Sequence, residues 1–510
     1  MKTNEKMKLK QNDIDKYKGI KTYAFCLLVS LLFLLVCSSN SFLYTFNDWV
    51  DFNWYRTMGR GILDGKVIYR DLFDHKGPII YFVFAFAELF SNPAVVIYFI
   101  ECVTLSLFLF LSYKYLSKYL SYFYSLIGVV VLAFIIPCSI LFNSGGGAVE
   151  EYMMPIFMYV FLTIDNYLSG QDFTRKTSIF IGVCIGLMFW IKFSTLVVSG
   201  ILLITWFIMN LIKKKYKETF ISILWMLVGF GVITLPVGIY FGVNNSLNYL
   251  WQSYFYDNIF RYDVGNGLIN YLINFIGSSI IVYIGITLIF VALIALEIYL
   301  LKKNFKLFLL ILPLFFQLLL FVLLKALPLT YYFLILVPYI TLGVKALLSI
   351  IKKEPEKCKF RVLSISLVVA VLFGLTFITG NNSKDFGKQK EEYVQYQVVK
   401  DIESFELENP TLFCYSMWDY GFYNALGVVP TERFYARNNF SRKAYPEMYE
   451  TFDNAIKNAT ADFVIVIKSD YEENQSMFDN KYNFVNDYKA LIYENDINYI
   501  EEEFILLIKK

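Results

Sequence analysis

The sequence is poor in charged residues and contains a single histidine. Only 17% of its 510 residues are Asp, Glu, Lys or Arg, whereas a soluble domain usually has about a quarter. Hydrophobic residues make up 57% of the chain and aromatic residues 19%. This composition argues against a soluble globular protein and predicts a polytopic membrane protein. The lone His75 excludes catalysis by a histidine pair and a histidine-rich metal site.

Several signatures of familiar functions are missing as well. The sequence has no HExxH, GxSxG, phosphate-binding-loop or kinase motif. Its seven cysteines have neither metal-binding nor disulfide spacing, so no disulfide framework is expected. The net charge is only +3, and the lysines lie between apolar runs rather than on one face. No nucleic-acid partner is therefore expected.

Apolar runs dominate what is present. A membrane-spanning helix takes roughly 20 residues, and eleven runs fit that length approximately. They lie at 23–43, 94–113, 122–142, 152–169, 177–191, 194–212, 219–242, 270–300, 307–326, 331–350 and 362–380. A further run from Pro78 to Phe90 is only 13 residues long, which favours a re-entrant or interfacial helix. The alternative is one long tilted or broken span over 78–113.

Lysine and arginine are distributed unevenly between the two predicted sides. With a cytoplasmic N-terminus, the inner segments carry 24 basic residues, and the outer loops before residue 381 carry eight. The positive-inside rule favours that orientation. Residues 1–22 then form a cytoplasmic tail of a multi-pass protein in the cytoplasmic membrane, 23–380 form the transmembrane domain, and loop 44–78 lies outside.

The region 381–510 has a different composition and is expected outside too. Charged residues return, and strand-like runs occur at 411–416 and 462–469, with a helix-compatible stretch at 445–458. These patterns predict a small extracytoplasmic α/β domain. Because it lacks a Gly-rich phosphate loop and a nucleophile elbow, recognition or scaffolding is a better interpretation than catalysis.

Loop 44–78 concentrates acids and bases directly after the first span. They are Asp48, Asp51, Arg56, Arg60, Asp64, Lys66, Arg70, Asp71, Asp74, His75 and Lys76. On a helix, Asp48 and Asp51 would share a face, and with Asn53 they offer oxygen ligands for Mg or Mn. The alternative is a solvated interfacial turn. Lys76, with Arg70 nearby, suits a phosphate, and its alternative is snorkelling to lipid headgroups.

Other candidate residues lie in later loops. NSGGGAVEEYMMP places Glu150 and Glu151 after three glycines, next to lipid, where an acid pair is functional by default. Lys192 stands alone between two apolar runs. Tyr331 and Tyr332 fit either an aromatic belt at the membrane surface or a surface on which a sugar stacks.

The position of the ionisable residues separates the functional alternatives. A pump usually carries them inside its spans, but here they cluster in loops. An enzyme is therefore favoured over a non-catalytic polysaccharide exporter or a sensor. An envelope-polymer ligase or polymerase is a second enzymatic alternative, although such proteins usually have one large late outer loop.

Three motifs together resemble a known family. An Asp just after the first span, then GKVIYRDLFDHKGPIIYF, then GGGAVEEYMMP, is similar to bacterial polytopic glycosyltransferases of the GT-C superfamily. The nearest groups are the protein O-mannosyltransferase-like (family 39) and the aminoarabinose-transferase-like enzymes. The resemblance covers roughly residues 20–350. It implies a GT-C-like α-helical membrane fold and an inverting transfer of a hexosyl or pentosyl group from a polyprenyl-phosphate-linked donor to an envelope glycan, lipid or protein.

The resemblance also implies roles for individual residues. Asp51 matches the catalytic or metal-binding acid, Lys76 the lysine that binds the lipid phosphate, and Glu150 or Glu151 the second-loop acid. Physical chemistry agrees, because transfer needs a base for the acceptor hydroxyl and cations for the departing phosphate. The full set of candidates is, for catalysis, Asp51, Asp48, Glu150 and Glu151; for the donor phosphate, Lys76, Arg70, Arg60 and His75; for sugar or acceptor, Asp74, Lys192, Tyr331 and Tyr332; and for Mg or Mn, Asp51 and Asn53.

Overall fold

The computed structural model describes residues 2–142, 145–261, 306, 308–314, 329–350, 358–493 and 499–510. The predicted span 270–300 lies outside these residues, and of the span 307–326 only 308–314 is described, as helix. The protein is mostly helical, and a four-stranded sheet follows near its C-terminus.

The first nine helices carry the labels α1 to α9. They are α1 (Lys2–Cys37), α2 (Val50–Leu63), α3 (Pro78–Glu88), α4 (Pro93–Leu116), α5 (Tyr122–Cys138), α6 (Val149–Leu168), α7 (Arg175–Lys192), α8 (Leu196–Ile212) and α9 (Tyr216–Val243). The later helical segments are Leu247–Leu250, the π-helix Trp251–Arg261, the 3₁₀ segment Thr330–Leu336, Val337–Ile350, Cys358–Thr379, Val394–Glu403, Phe422–Leu426, Pro446–Lys457, Lys468–Glu473 and Gln475–Asp479.

Among the described residues, six helical segments are long and apolar enough to cross a membrane. They are Lys18–Cys37, Pro93–Leu116, Arg175–Ile212, Tyr216–Val243, Thr330–Ile350 and Phe360–Thr379. Two shorter apolar helices, Pro78–Glu88 and Tyr122–Cys138, accompany them. The expected polytopic helical architecture is therefore confirmed.

The first span ends earlier than the hydropathy pattern predicts. Helix α1 stops at Cys37, whereas the apolar run was expected to remain helical to residue 43. The reason lies in the polar side chains of Ser38 and Asn40, which hydrogen-bond to Glu101 of α4 at 2.7 and 2.8 Å. Serine and asparagine side chains offer the chain alternatives to helical hydrogen bonds, so the chain leaves the helix there.

The long helical run Arg175–Ile212 folds back on itself, as the two separate predicted spans require. Lys192 leaves helical geometry, with φ −161° and ψ 94°. Near this point, Thr195 contacts Met153 at the start of α6. At the other end of α8, Asn210 accepts a hydrogen bond from Tyr167, at the end of α6. Helix α8 therefore runs parallel to α6 and antiparallel to α7.

The short apolar run after loop 44–78 is a separate helix. Helix α3 ends at Glu88, and α4 begins at Pro93, so residues 78–113 are not one continuous helix. Asn92 caps α4 by accepting a hydrogen bond from Val95 N–H at 3.3 Å. Helix α3 packs against α2, which fixes the end of the loop beside its beginning.

The C-terminal region forms an α/β unit around the sheet. Strand β1 (Leu412–Tyr415) pairs in parallel with β2 (Phe463–Ile467), as the two predicted runs suggest. Strands β3 (Tyr482–Tyr493) and β4 (Tyr499–Lys509) were not predicted, and β4 inserts beside β2 to give the order β1-β2-β4-β3. In β4, the charged residues 501–503 are followed by four consecutive buried apolar residues, 504–507, where the strand lies between β2 and β3.

Candidate functional site

Helix α2 holds Asp51 in its first turn. Asn47 fixes the chain at the start of this helix. Its side-chain oxygen accepts a hydrogen bond from Trp49 N–H at 3.0 Å, and its carbonyl accepts one from the Asn53 side chain at 2.9 Å. The helix begins at Val50. The Asp51 carboxylate therefore lies near the positive end of the helix dipole.

The Asp51 carboxylate lies within reach of a lysine and two tyrosines. Its Oδ2 accepts hydrogen bonds from Tyr55 Oη at 3.2 Å and Tyr331 Oη at 3.1 Å, and Lys76 Nζ is 3.6 Å away. The side chain is 24% exposed, whereas that of Lys76 is only 8% exposed. Asp51 is thus a partly open carboxylate beside a largely buried cation.

The backbone around Lys76 is fixed from two sides. The hydroxyl of Tyr69 donates to the Lys76 carbonyl, and the hydroxyl of Tyr81 accepts a hydrogen bond from Lys76 N–H at 3.1 Å. Next to it, Gly77 N–H donates to the Ile191 carbonyl at 3.1 Å. A Cβ on Gly77 would come within 2.1 Å of the Trp190 carbonyl oxygen. The HKGP sequence therefore has glycine where the loop presses against the end of α7.

Asp74 and His75 support this loop. Asp74 accepts hydrogen bonds from Tyr81 Oη at 2.7 Å and from His75 N–H at 2.7 Å, and His75 Nδ1 is 3.2 Å from the same carboxylate. Burial alone would raise the pKa of Asp74, but hydrogen bonds and charge from His75, with the charge of Lys76, hold it below its usual value. Asp74 is thus a buried anion that anchors the segment bearing Lys76.

A second acid and lysine complete the group. Glu150 in the first turn of α6 pairs with Lys192 Nζ at 2.5 Å, and Lys192 Nζ lies 3.6 Å from the ring centroid of Tyr332. Lys192 also interacts electrostatically with Lys76 and Asp51. We call Asp51, Lys76, Glu150 and Lys192 the acid–lysine cluster. It joins residues from four separate chain segments at one end of the helices.

The two adjacent acids of the second loop have different surroundings. Glu151 turns away from Lys192, and its Oε1 accepts a hydrogen bond from Ala148 N–H at 3.1 Å, which caps the start of α6. Glu150 alone joins the acid–lysine cluster. The sequence left the choice between them open, and the geometry distinguishes them.

Sequence reasoning missed a buried acid inside a span. Glu101 of α4 is 2% exposed and accepts hydrogen bonds from Ser38 and Asn40. Asn40 in turn accepts one from Asn47 at 2.9 Å, which leads to the start of the helix that carries Asp51. A Cβ on Gly146 would come within 2.6 Å of Glu101 Oε1. The available signal was an acid in an otherwise apolar span, which is functional by default.

Some predicted residues lie outside the cluster. Asp48 precedes α2, so it does not share a helical face with Asp51, and its electrostatic neighbours are Asp385, Lys388 and Lys384. Burial, followed by repulsion from Asp385, raises the pKa of Asp48 to about 6. Asp48 therefore belongs to a different environment from Asp51.

Two predicted arginines are engaged elsewhere. Arg70 pairs with its neighbour Asp71 at 2.8 Å and donates to the Asn244 carbonyl at 3.0 Å. Arg60 pairs with Glu88 at 3.0 Å and donates to the Tyr423 carbonyl at 3.1 Å. Both connect segments of the fold, and neither is paired with a residue of the acid–lysine cluster in the described contacts.

The oxygen ligands proposed for Mg or Mn do not fit a divalent cation. The Asn53 amide donates to the Asn47 and Trp49 carbonyls, and its oxygen accepts from Asn424. The charged neighbour of Asp51 is the ammonium of Lys76. Of the residues that the structure describes, no three His, Cys, Asp or Glu side chains gather as a metal site. Positive charge at Asp51 comes from lysine.

The C-terminal unit docks directly onto loop 44–78, which sequence reasoning did not predict. The docking interface consists of hydrogen bonds from Thr57 to Asp419, Asn424 to Asn53, Arg60 to Tyr423, Arg433 to Tyr69, Phe73 to Arg433 and Asn438 to Asp74. Asn438 thus contacts the acid that anchors the Lys76 segment. Burial, partly offset by the Thr57 hydrogen bond, raises the pKa of Asp419 to about 6.

An apolar cavity of about 430 Å³ lies beside the Lys76 segment. Helices α3 and α9 line it with Ile79, Phe82, Val232, Ile233, Pro236, Val237 and Tyr240. Ile79 is three residues beyond Lys76 in the chain. A hydrocarbon-lined space therefore begins at the first turn of α3, directly after the segment that carries Lys76.

The comparisons with known proteins concern the fold. No protein-family model and no curated protein matches the sequence. A crystal structure of ArnT from Cupriavidus metallidurans bound to undecaprenyl phosphate is similar over 96% of this chain and 97% of that chain, with a TM-score of 0.56 and 11% identity. The apo ArnT structure is similar over 97% and 98%, with a TM-score of 0.57 and 11% identity. This protein therefore has the GT-C-like membrane fold that its motifs led us to expect.

Proposed function

We propose that this protein is a membrane glycosyltransferase that moves a sugar from a polyprenyl-phosphate-linked donor to an acceptor outside the cytoplasmic membrane. The observation that carries this proposal is the acid–lysine cluster, with the Asp51 carboxylate 3.6 Å from Lys76 Nζ. A base and a cation at one end of membrane-spanning helices match the two chemical needs of transfer from a lipid phosphate. The acceptor is an envelope glycan, lipid or protein.

Donor binding uses the charged and the apolar parts of the site together. Lys76 and Lys192 bring two ammonium groups into electrostatic range of each other, and an anionic phosphate relieves their repulsion. The cavity between α3 and α9 suits a hydrocarbon chain attached to that phosphate. The similar ArnT structure contains undecaprenyl phosphate, a ligand of this class.

Asp51 acts as the general base in the transfer step. The acceptor oxygen attacks the anomeric carbon, the bond from that carbon to the phosphate oxygen breaks, and the acceptor proton passes to the Asp51 carboxylate. Polyprenyl phosphate leaves with its charge held by Lys76. A single displacement of this kind inverts the anomeric centre. When the donor phosphate binds Lys76, it also competes with Asp51 for that ammonium, which frees the carboxylate to accept a proton.

Glu150 and the tyrosines keep this arrangement in place. The Glu150–Lys192 pair at 2.5 Å holds the second lysine near the phosphate position. Tyr331 hydrogen-bonds to Asp51, and Tyr332 lies under Lys192. Asp74 fixes the backbone before Lys76 through Tyr81. In this proposal, Tyr332 also offers a ring face to the sugar or the acceptor.

The proposed orientation has the N-terminus in the cytoplasm and the acid–lysine cluster outside. It rests on the 24 inner against eight outer basic residues. In a variant without native cysteines, a membrane-impermeant maleimide should label single cysteines placed in 44–78 and 385–510. Labelling of cysteines at 213–217 instead would overturn the orientation.

The function itself is tested by sugar transfer in a defined membrane. Extracts from cells that lack the protein first identify the lipid-linked sugar that accumulates. The purified protein, in nanodiscs with that radiolabelled donor and an envelope extract, should release polyprenyl phosphate and label the acceptor. An exporter moves the lipid without cleaving it, and a polymerase adds repeated units, so either result contradicts the proposal. Asp51→Asn protein at equal amount is the matched control.

A further inference from the structure

Two cysteines that are 101 residues apart in the sequence meet at the end of the helices that carries the acid–lysine cluster. Cys37 is the last residue of α1, and Cys138 is the last residue of α5. Their sulfur atoms are 3.6 Å apart. The cysteine spacing does not reveal this pair, because a contact between two helix ends leaves no local pattern.

The backbone on both sides of this contact is held by one short segment. Asn382 donates a hydrogen bond to the Cys37 carbonyl at 2.8 Å, and Asn381 donates one to the Ser139 carbonyl at 2.8 Å. Both asparagines follow the helix Cys358–Thr379. Two adjacent side chains therefore fasten the ends of α1 and α5 to the same point. This keeps the two thiols facing each other independently of any covalent bond.

The two thiols differ in access. Cys37 is fully buried, whereas Cys138 is partly exposed. A thiol at the surface can be attacked or can attack first, and a buried neighbour can then resolve the mixed disulfide. The cysteines Cys26, Cys102 and Cys184 are instead buried within α1, α4 and α7.

We propose that Cys37 and Cys138 form a disulfide on the outer side of the membrane, a placement that rests on the orientation proposed above. The oxidant is a disulfide-containing protein or small molecule of the envelope. The Cys138 thiolate attacks the oxidant's disulfide and releases one oxidant thiolate. The Cys37 thiolate then attacks the Cys138 sulfur and releases the second. Two thiols are oxidised, one oxidant disulfide is reduced to two thiols, and the protons pass between them through water.

The bond ties the start of the Glu101 network to a neighbouring helix. Cys37 directly precedes Ser38, which donates to Glu101 at 2.7 Å. A covalent link between α1 and α5 at this point limits how far the chain between Cys37 and Asn47 moves. We therefore expect the disulfide to raise the thermal midpoint of the folded protein and not to take part in chemistry.

The state of the pair is read by differential alkylation of the full-length protein in cells. Acid-quenched membranes are treated with N-ethylmaleimide, reduced, and then labelled with maleimide-polyethylene glycol. Wild-type protein should gain two labels only after reduction, and a peptide cross-linking Cys37 to Cys138 should appear in the unreduced digest. Cys37→Ser and Cys138→Ser should each gain none, whereas Cys184→Ser should still gain two. Reduction should lower the thermal midpoint of wild type and leave that of Cys37→Ser unchanged.

Two results overturn the proposal. In the first, wild-type protein gains no label after reduction, although cysteines placed at 385–510 are labelled from outside. That combination rules out the disulfide and leaves the proposed orientation and function intact. The other is purified wild-type protein that stays fully alkylatable after incubation with oxidised glutathione. If cysteines at 213–217 are labelled from outside instead, the orientation fails, and the disulfide proposal fails with it.

Discussion

The acid–lysine cluster and the docking interface use ionisable residues of the same short segment in different ways. Next to the docking interface, charges are matched locally: Glu88 of α3 binds Arg56 at 2.6 Å and also binds the interface residue Arg60 at 3.0 Å. In the acid–lysine cluster, two lysines lie in electrostatic range of each other, and Asp51 is 24% exposed. In the first arrangement, each arginine is paired with a carboxylate. In the second, the two lysines can bind a further anion, and the Asp51 carboxylate can accept a proton.

This contrast separates residues that lie close together along the chain. Asp51 and Arg56 are five positions apart on α2, and yet one faces Lys76 while the other faces α3. Removing a group from the acid–lysine cluster should reduce transfer while the fold persists. Removing one from the docking interface should affect stability before it affects chemistry. Four tests of this difference follow, in order of decreasing effect on transfer.

Asp51→Asn should have the largest effect. Asparagine keeps the size of the side chain and its hydrogen bonds with Tyr55 and Tyr331, but it does not accept the acceptor's proton. General-base catalysis typically contributes about 10²–10⁴-fold, so transfer should fall by that factor at unchanged donor binding. The measurement is the initial rate from the lipid-linked donor in nanodiscs.

Asp48→Asn is the matched control for that variant, because it changes an acid three positions earlier that lies among Asp385, Lys384 and Lys388. Its rate should stay within a few-fold of wild type. Comparable losses in the two variants would remove the distinction between the two acids and, with it, the assignment of the base to Asp51.

Lys76→Ala should mainly weaken donor binding. A hydrogen bond to a charged group is worth about 1.5–3 kcal/mol, which corresponds to roughly a 10- to 150-fold rise in the dissociation constant. Lys76→Arg should recover only part of the loss, since a planar guanidinium does not replace a compact ammonium. Binding is measured with a fluorescent polyprenyl-phosphate sugar, and Arg70→Ala is the control. A Lys76→Ala protein with wild-type affinity would contradict phosphate binding at this lysine.

The sequence predicted the architecture and named the residues of the acid–lysine cluster, with Glu150 and Glu151 left as alternatives, because those depend on local patterns. Hydropathy located the helices, and the mixed charges of loop 44–78 drew attention to Asp51 and Lys76. The pairing of Glu150 with Lys192, 42 residues away, follows from the return of α7 to the start of α6. No local pattern encodes such a contact, so sequence reasoning named both residues but not the pair.

The incorrect expectations have equally specific causes. The expectation that Asp48 and Asp51 share a helical face assumed that both lie in one helix. Helix α2 begins at Val50, so Asp48 lies outside it. Glu101 was overlooked because one acid hardly changes the hydropathy of a long apolar run. The docking interface joins residues that are far apart in the chain, such as Thr57 and Asp419. Contacts of that kind become visible only when the chain is folded.

Glu150→Gln and Glu151→Gln form a pair of neighbouring variants with different expected results. Glutamine at 150 removes the charge that holds Lys192, so transfer should fall by roughly tenfold, which corresponds to about 1.4 kcal/mol for a charge-assisted contact. Glutamine at 151 weakens the bond that caps α6, which costs about 1 kcal/mol of stability, and leaves transfer nearly unchanged. Rates and thermal midpoints are measured on both. The reverse pattern would assign the functional acid to Glu151.

Asp419→Asn should have the smallest effect on transfer and a clear effect on the pH dependence of stability. Burial raises the pKa of Asp419 from 3.8 to about 6 in the folded protein, so the folded state takes up a proton more readily than the unfolded chain does. The cost of burying the ionised carboxylate is therefore fully present above pH 6. It diminishes as the pH falls through 6 and disappears only below about 3.8, where the carboxyl is protonated in both states.

The difference in pKa sets the size of this effect, which is on the order of 3 kcal/mol in full, and most of it falls between pH 7 and pH 4. The substituted asparagine carries no charge, so the variant lacks this contribution, although its amide loses one of the hydrogen bonds from Thr57 and Gly421. Thermal midpoints of wild type and variant should be compared from pH 7 to pH 4, since subtraction removes the titration of all other groups. Relative to the variant, wild type should gain stability as the pH falls. A constant difference across that range would mean that Asp419 is not a buried anion at the docking interface, and that the contrast with the partly exposed Asp51 does not arise from burial.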